Sequence, residues 1–417
     1  MVITIRCILE WCKFMVSIFH WGRCPLTGTN VSLMLLILMS LGMAACTVNL
    51  KESKTPSLEC LEPAAGTYYG VYIDREHDTI AVYNQRLGVP AAVYVAFFPF
   101  PFNETDKANV DAFIEQVVAE EGMALITLLP ESGMDKITAT VAYDFAALLA
   151  EYNRNGVPVF VRFAHEMNGS WYSWSQQPTA YIQAFRILAE AVHQRTTLSA
   201  MVWAPNYGGG YPFAGGRYET SPQSNDFNIL DTNHDGHLDG NDDMYAPYYP
   251  GDDVVDWVGM SIYHWGNQHP WGENEIPEAD KFIAQITGNY LGLDGDHRSV
   301  PDFYEVYVEQ HGKPMAVPET AALYNPYFGG DAEMDIKQNW WQQVFSAEVA
   351  EDFPGIKMIN WFEVCKFESE VSNTLDWTVT SNPIIRQAFL DDLPRSRLLF
   401  ATGLPDFSLE ENRRGAE

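Results

Sequence analysis

Eight short apolar runs recur along the chain: Tyr69–Ile73, Ala91–Phe97, Met123–Leu129, Val157–Phe163, Leu198–Ala204, Val255–Ile262, Pro314–Val317 and Ile356–Trp361. They do not alternate apolar with polar. Near-continuous apolar strands are expected where both faces of a sheet are covered, as in a parallel sheet. Between them, apolar residues fall at helical spacing in Asn109–Glu121, Thr140–Asn155, Tyr181–Arg195 and Met334–Glu351. Strands β1 to β8, alternating with helices, predict a (β/α)₈ TIM barrel over residues 67–393 with a long insertion between strands 5 and 6, at residues 207–253. A doubly wound open sheet is the alternative. No strand is followed by the Gly-rich phosphate loop that many such sheets carry. Residues 394–417 read as a polar C-terminal tail.

The N-terminal region adds a compartment. Residues 31–45 are apolar and small, follow Arg6, Lys13 and Arg23, and end at Cys46. A basic start, an apolar stretch and small residues describe an export signal, and the run is short for a membrane span. Met43-Ala44-Ala45-Cys46 resembles a lipoprotein box, with Cys46 the lipidated residue and 46–66 a tether. The expectation is a secreted protein or a cell-surface or periplasmic lipoprotein, in contact with membrane only through that anchor. A net charge of −30 argues against nucleic acid as a partner. Aromatics make up 13% of the chain, which suits either stacking on sugars or a Trp-rich core. Cys60 and Cys365 remain outside the leader, either bridged or free.

Chemistry concentrates at two strand ends. Val159 to Trp171 begins as a buried strand and ends in a polar cluster around Glu166, with His165 beside it and Arg162 below. A carboxylate at the C-terminal end of a barrel strand points into the active-site mouth. The alternative is a plain ion pair with Arg162. Glu319 follows the apolar run of β7 in the same way. Two such carboxyls are what glycosidic hydrolysis needs: one to protonate the leaving oxygen, one to attack the anomeric carbon or activate water.

The run Arg162-x-x-His165-Glu166-Met167-Asn168-Gly169-x-Trp171 resembles the acid/base motif of glycoside hydrolase family 26, whose best-known members are β-mannanases. The resemblance implies a retaining (β/α)₈ barrel in which Glu166 is the acid/base and Glu319 the nucleophile. It puts His165 where many relatives of the clan have Asn, and Trp171 where the family stacks a sugar. Asp256 to Tyr263 is similar to the family's β6 segment, so Tyr263 would hydrogen-bond the nucleophile. Trp361 in β8 would floor the subsite of the cleaved sugar, with Arg162 among the binding residues. The implied substrate is a β-linked polysaccharide, β-1,4-mannan cleaved internally. Many mannanases of the family carry a His after β3, where this chain has Leu128-Leu129-Pro130-Glu131. Mixed-linkage β-glucan and β-1,3-xylan are therefore alternative substrates, and a non-catalytic glycan-binding barrel is the third reading.

A second motif lies in the segment after β5. Asp231-Thr232-Asn233-His234-Asp235-Gly236-His237, closing at Asp242, follows the D-x-N-x-D-G pattern of an EF-hand loop. The expected ligands of a structural Ca²⁺ are Asp231, Asn233, Asp235, the His237 carbonyl and Asp242, with the flanking Tyr245, Tyr248 and Tyr249 set as a cleft wall. An acidic turn in an acidic protein is the alternative.

Overall fold

A computed structural model describes residues 61–407. The expected leader, the lipidation site Cys46, most of the tether, Cys60 and the last residues of the tail lie outside the described residues. Cys365 is a free, exposed thiol. Among the described residues no helix is long and apolar enough to cross a membrane.

Eight parallel strands form the centre: β1 Thr67–Ile73, β2 Val93–Pro99, β3 Met123–Leu129, β4 Val159–Phe163, β5 Ser199–Trp203, β6 Trp257–Gly259, β7 Met315–Thr320 and β8 Ile356–Glu363. Each pairs with the next, and β8 returns to pair with β1, Tyr68 opposite Met358 through Ile73 opposite Glu363. The sheet is therefore closed, and the open-sheet alternative is excluded. β5 ends at Trp203 and β6 begins at Trp257, so the connection spans residues 204–256.

Helices cover the outside. α1 Ile80–Leu87 starts at Thr79, whose side chain accepts from the Val82 N–H, and stops at Gly88, whose φ of 77° is the left-handed cap a Cβ disfavours. α2 Glu104–Ala119 opens on a capping box between Asn103 and Asp106. α3 Ala139–Arg154 is capped by Thr138, and α4 Pro178–Arg195 begins with proline. The β5–β6 connection carries a short α5, Asn225–Leu230. Between β6 and β7 the cover is irregular: α6 Lys281–Ile286 and a π-helical stretch, Tyr304–Gln310. The single helix expected over Met334–Glu351 is two, α7 Glu333–Val344 and α8 Ala347–Asp352, because Ser346 turns the chain and caps α8. α9 is Pro383–Asp392.

Alternation along the strands sorts the side chains. Tyr68, Val93, Val95, Met123, Leu125, Phe160, Val202, Trp257, Ala316 and Met358 fill the lumen. Their neighbours Tyr69, Val71, Tyr94, Ala124 and Val161 join the larger cluster under the helices. Phe160 meets Trp257 edge-on at 5.1 Å. Removing a side chain of that size from water stabilises by about 1.5–3 kcal/mol. The aromatic excess mostly builds this core, since Trp203, Trp257, Trp340, Trp341, Trp361 and Trp377 are all fully buried.

Two irregularities matter for the site. Against β8, Val317 pairs with Ile359 and Thr320 with Trp361, so Pro318 and Glu319 together oppose Asn360. This β-bulge sends Thr320 outward, where it accepts from Trp340 Nε1 at 2.9 Å, and leaves Glu319 on the lumen side. The second irregularity corrects the expected tail. Leu398–Leu399 adds a short parallel strand beside Thr67 and Tyr68. Phe400 packs on Tyr69 at 5.5 Å, and Phe407 joins the lumen cluster with Leu61. Three apolar anchors among polar neighbours are enough to dock the segment.

Candidate active site

The residues after β4 make a tight turn before α4. Ala164 and Glu166 both have left-handed backbones, with φ of 46° and 54°. Such a conformation costs a non-glycine residue about 1 kcal/mol or more. The turn is held by its neighbours: the Glu166 N–H donates to the Ala204 carbonyl at 3.0 Å, and Asn168 exchanges two 2.8 Å hydrogen bonds with the backbone of Asn206. Gly169 is required here, because a Cβ would lie 2.5 Å from the Trp171 ring. That close approach brings Trp171 Nε1 to within 3.1 Å of Glu166 Oε2, to which it donates. Phe213, from the β5–β6 connection, packs edge-on against Trp171 at 5.0 Å.

Glu319 sits across the mouth at the β7 bulge. Its Oε2 accepts from the Tyr263 hydroxyl at 2.7 Å, and its Oε1 lies 2.6 Å from a terminal nitrogen of Arg162. Arg162 has no exposed surface, and Glu319 is 6% exposed. Arg162 Nε donates to Thr127 Oγ1 at 2.9 Å, and its guanidinium lies over Phe97 at 5.1 Å. Arg162 thus pairs with Glu319 and not with Glu166. Losing one partner of such a buried pair leaves a lone charge and costs about 3–5 kcal/mol.

The two glutamates differ in environment. Burial pushes Glu166 up to about 7, the negative charge of Glu319 adds to the rise, and Arg162 opposes it. Near neutral pH, then, a protonatable carboxyl faces one that is pinned to a guanidinium and a phenol. Two carboxyls in environments this unequal suit different chemistry, one donating a proton and the other accepting one or attacking.

His165 is 2% exposed, wedged among the rings of Phe97, Tyr172 and Trp174 at 5.4, 4.9 and 5.8 Å. Burial and then Arg162 hold its imidazole well below the usual range. It supports the aromatic wall as a neutral ring instead of standing open to a ligand. Trp361 corrects another expectation. It is fully buried and faces the helices, against Phe389 at 5.8 Å, with Nε1 donating to the Trp377 carbonyl at 3.1 Å. The lumen parity of Met358 and Asn360 continues to Phe362, which stacks on Tyr72 at 5.0 Å and meets Tyr263 at 5.6 Å. The aromatic floor is therefore Tyr72, Phe362 and Tyr263, with half-buried Trp265 alongside at 6.3 Å from Tyr263. Tyr172, also absent from the sequence-based set, has its hydroxyl raised by burial and by the charges of Glu166 and Glu319.

The tyrosines expected to wall the cleft do not. Tyr245 and Tyr248 are fully buried, and Tyr249 packs on Trp203, Tyr307 and His311 in the outer layer. In the acidic loop before them, the carboxylates accept from the loop's own backbone. Asp231 takes the N–H groups of Asp235 and Gly236 at 3.1 and 2.9 Å. Asn233 takes Asp235 at 2.9 Å, and Asp235 takes His237 at 2.9 Å. Asp242 takes Thr232 and Asp239 at 2.8 and 2.9 Å. Among the described residues no three acidic, histidine or cysteine side chains converge as a metal cage.

Residues 102–218 match the model of glycosyl hydrolase family 26, a stretch that includes Arg162, Glu166 and Trp171 and stops short of Glu319. A curated relative, Endoglucanase H of Acetivibrio thermocellus, is 26% identical over 124 residues, which are 28% of this chain and 11% of that protein. The chain thus spans about a tenth of the length of that relative. Among solved structures, GH26C from Muricauda sp. MAR_2010_75 aligns with a TM-score of 0.49 at 13% identity, over 85% of this chain and 91% of that one. The GH26-CBM35 β-(1,4)-mannanase of Podospora anserina aligns at 0.43 and 14% identity, over 84% and 66%.

Proposed function

From the premise that the chain belongs to glycoside hydrolase family 26 through residues 102–218, we propose that it is a retaining hydrolase of a β-linked polysaccharide. The observation that carries the reading is the unequal pair of carboxyls: Glu166 pushed up to about 7 and Glu319 held by Tyr263 and Arg162. In the first step Glu319 attacks the anomeric carbon while Glu166 gives its proton to the departing glycosidic oxygen. In the second, Glu166 takes a proton from water, which attacks the glycosyl–Glu319 ester and restores both groups. Trp171 and Tyr263 orient the two carboxyls, and the aromatic floor takes the apolar face of the sugar.

β-1,4-Mannan cleaved internally is the first substrate proposed. Mixed-linkage β-glucan is the second, a glucan being in keeping with the curated relative's name, Endoglucanase H, and β-1,3-xylan is the third. The enzyme is proposed to act outside the cytoplasm, anchored or released, from the leader read in the sequence. New reducing ends on at least one of the three glycans are expected, with the β-anomer formed first by proton NMR. Initial α-anomer would exclude the retaining mechanism, and no cleavage of any glycan would favour the binding-only reading.

Calcium is proposed as a structural ion of the loop from Asp231 to Asp242. Gly236 supports this with a φ of 84°, the sharp turn that an EF-hand loop makes at its sixth position. Each carboxylate bonded to backbone N–H keeps further lone pairs for a cation. No chemical step involves the ion. Chelation is expected to lower the melting temperature while leaving kcat unchanged; at a hundredfold excess over Kd the bound ion would contribute about 2.7 kcal/mol. A melting curve unmoved in a sample shown to be metal-free would exclude the site.

A further inference from the structure

The chain folds back after β8 into a hairpin, Cys365–Glu368 against Asn373–Asp376. Lys366 and Glu368 are two residues apart and share one face of it, with Lys366 Nζ 3.2 Å from Glu368 Oε1. The same oxygen accepts from Trp377 Nε1 at 3.2 Å. Trp377 packs edge-on against Tyr263 at 5.3 Å and Trp265 at 4.8 Å. Lys366 Nζ lies over the Phe362 ring at 5.3 Å, and that ring meets Tyr263 at 5.6 Å. Both polar groups therefore stand one aromatic ring away from the phenol that holds Glu319.

Glu368 is 7% exposed, which makes it a third enclosed carboxyl beside the mouth. Nothing in the chemistry above uses it. Its Oε1 is engaged twice, among the described residues no protein group bonds Oε2, and the side chain keeps 10% of its surface exposed. A carboxylate fixed at one oxygen and open at the other is a prepared acceptor, and the ammonium beside it is a donor. A sugar hydroxyl is both donor and acceptor, so the two groups side by side match adjacent hydroxyls. Burial raises the Glu368 carboxyl and Lys366 opposes the rise. Its charge is also felt by Tyr172 on the β4 side of the mouth.

We propose that Lys366 and Glu368 form a specificity-determining edge of the cleft, binding hydroxyl groups of the sugar next to the cleaved bond. The inference rests on the hydrolase reading. Glu368→Gln keeps an oxygen for Trp377, and Lys366→Met keeps the stem over Phe362. Each is measured by steady-state kinetics on whichever of β-mannan, mixed-linkage β-glucan or β-1,3-xylan the parent cleaves. Losing a charge-assisted hydrogen bond to substrate is expected to raise KM about tenfold or more, with kcat and the melting temperature near those of the parent. Lys366→Arg is expected to recover part of the loss. An unchanged KM in both variants, with or without a fall in melting temperature, would mean that the pair only pins the hairpin. A parent that cleaves none of the three glycans would remove the hydrolase reading and this one with it; a cleaving parent with unmoved variants removes this one alone.

Discussion

Glu319→Ala is expected to lower kcat on polysaccharide by roughly four orders of magnitude or more, the scale on which loss of a nucleophile is felt. The side chain does three things at once. In the proposed mechanism it supplies the attacking oxygen; in the fold it balances the buried Arg162 guanidinium at 2.6 Å and receives the Tyr263 hydroxyl at 2.7 Å. Alanine removes the nucleophile and leaves Arg162 without its countercharge, so lower stability should accompany the lost rate. Glu319→Gln also removes the charge, but its amide keeps an acceptor for Tyr263 and most of the packing while offering no nucleophile, so it separates the lost attack from the lost packing and hydrogen bond. Both variants are therefore expected to be inactive, with the glutamine variant the more stable. Retention of even a hundredth of the parental kcat by the glutamine variant, in a sample free of parental enzyme, would remove Glu319 as the nucleophile.

The second large effect is on pH. In the proposed mechanism Glu166 must carry a proton when the leaving oxygen departs, and its carboxyl is pushed up to about 7 by burial and by Glu319. Raising the pH through that value removes the proton, so kcat/KM should fall tenfold per unit above about 7. Glu166→Ala should erase that basic limb. Turnover on polysaccharide is expected to drop by about 10²–10⁴, the usual contribution of a positioned acid. An aryl glycoside with an acidic phenol needs no such proton in the first step, so formation of the glycosyl–enzyme should be spared and its hydrolysis should become slow. A burst of phenol followed by a slow steady state is the expected trace. A basic limb that persists in the alanine variant would place the titration on another group.

The barrel was legible because its strands are covered on both faces and read as uninterrupted apolar runs. Met123–Leu129 is the extreme case and its bounds hold at both ends. Where a strand is regular for only three residues, as in Trp257–Gly259, apolar loop residues on either side extended the apparent run. Short helices such as Asn225–Leu230 and Lys281–Ile286 hold too few turns to show a period. The pairing of Tyr263 with Glu319 came from resemblance in β6. The partner of Arg162 did not come from order along the chain, because the nearer acid is Glu166. Trp361 shows where order and spacing mislead: the resemblance implied a sugar platform there, but alternation from Met358 gives the lumen position to Phe362. The Lys366–Glu368 edge lies on a hairpin whose sequence has no motif, and only the fold brings it to the mouth.

The extra residue in β7 gives the site an unusual kind of specification. Along regular stretches such as Met123–Leu129 a side chain's direction follows from whether its position is odd or even. Here it follows from a count: Pro318 and Glu319 oppose the single residue Asn360. The information that aims Glu319 is thus held in the length of the segment between Val317 and Thr320, not in the identity of any one residue there. Substitutions at Pro318 change how comfortably the bulge is held. The gain or loss of one residue would turn the carboxylate from the lumen toward the helices, with the rest of the barrel free to keep its register.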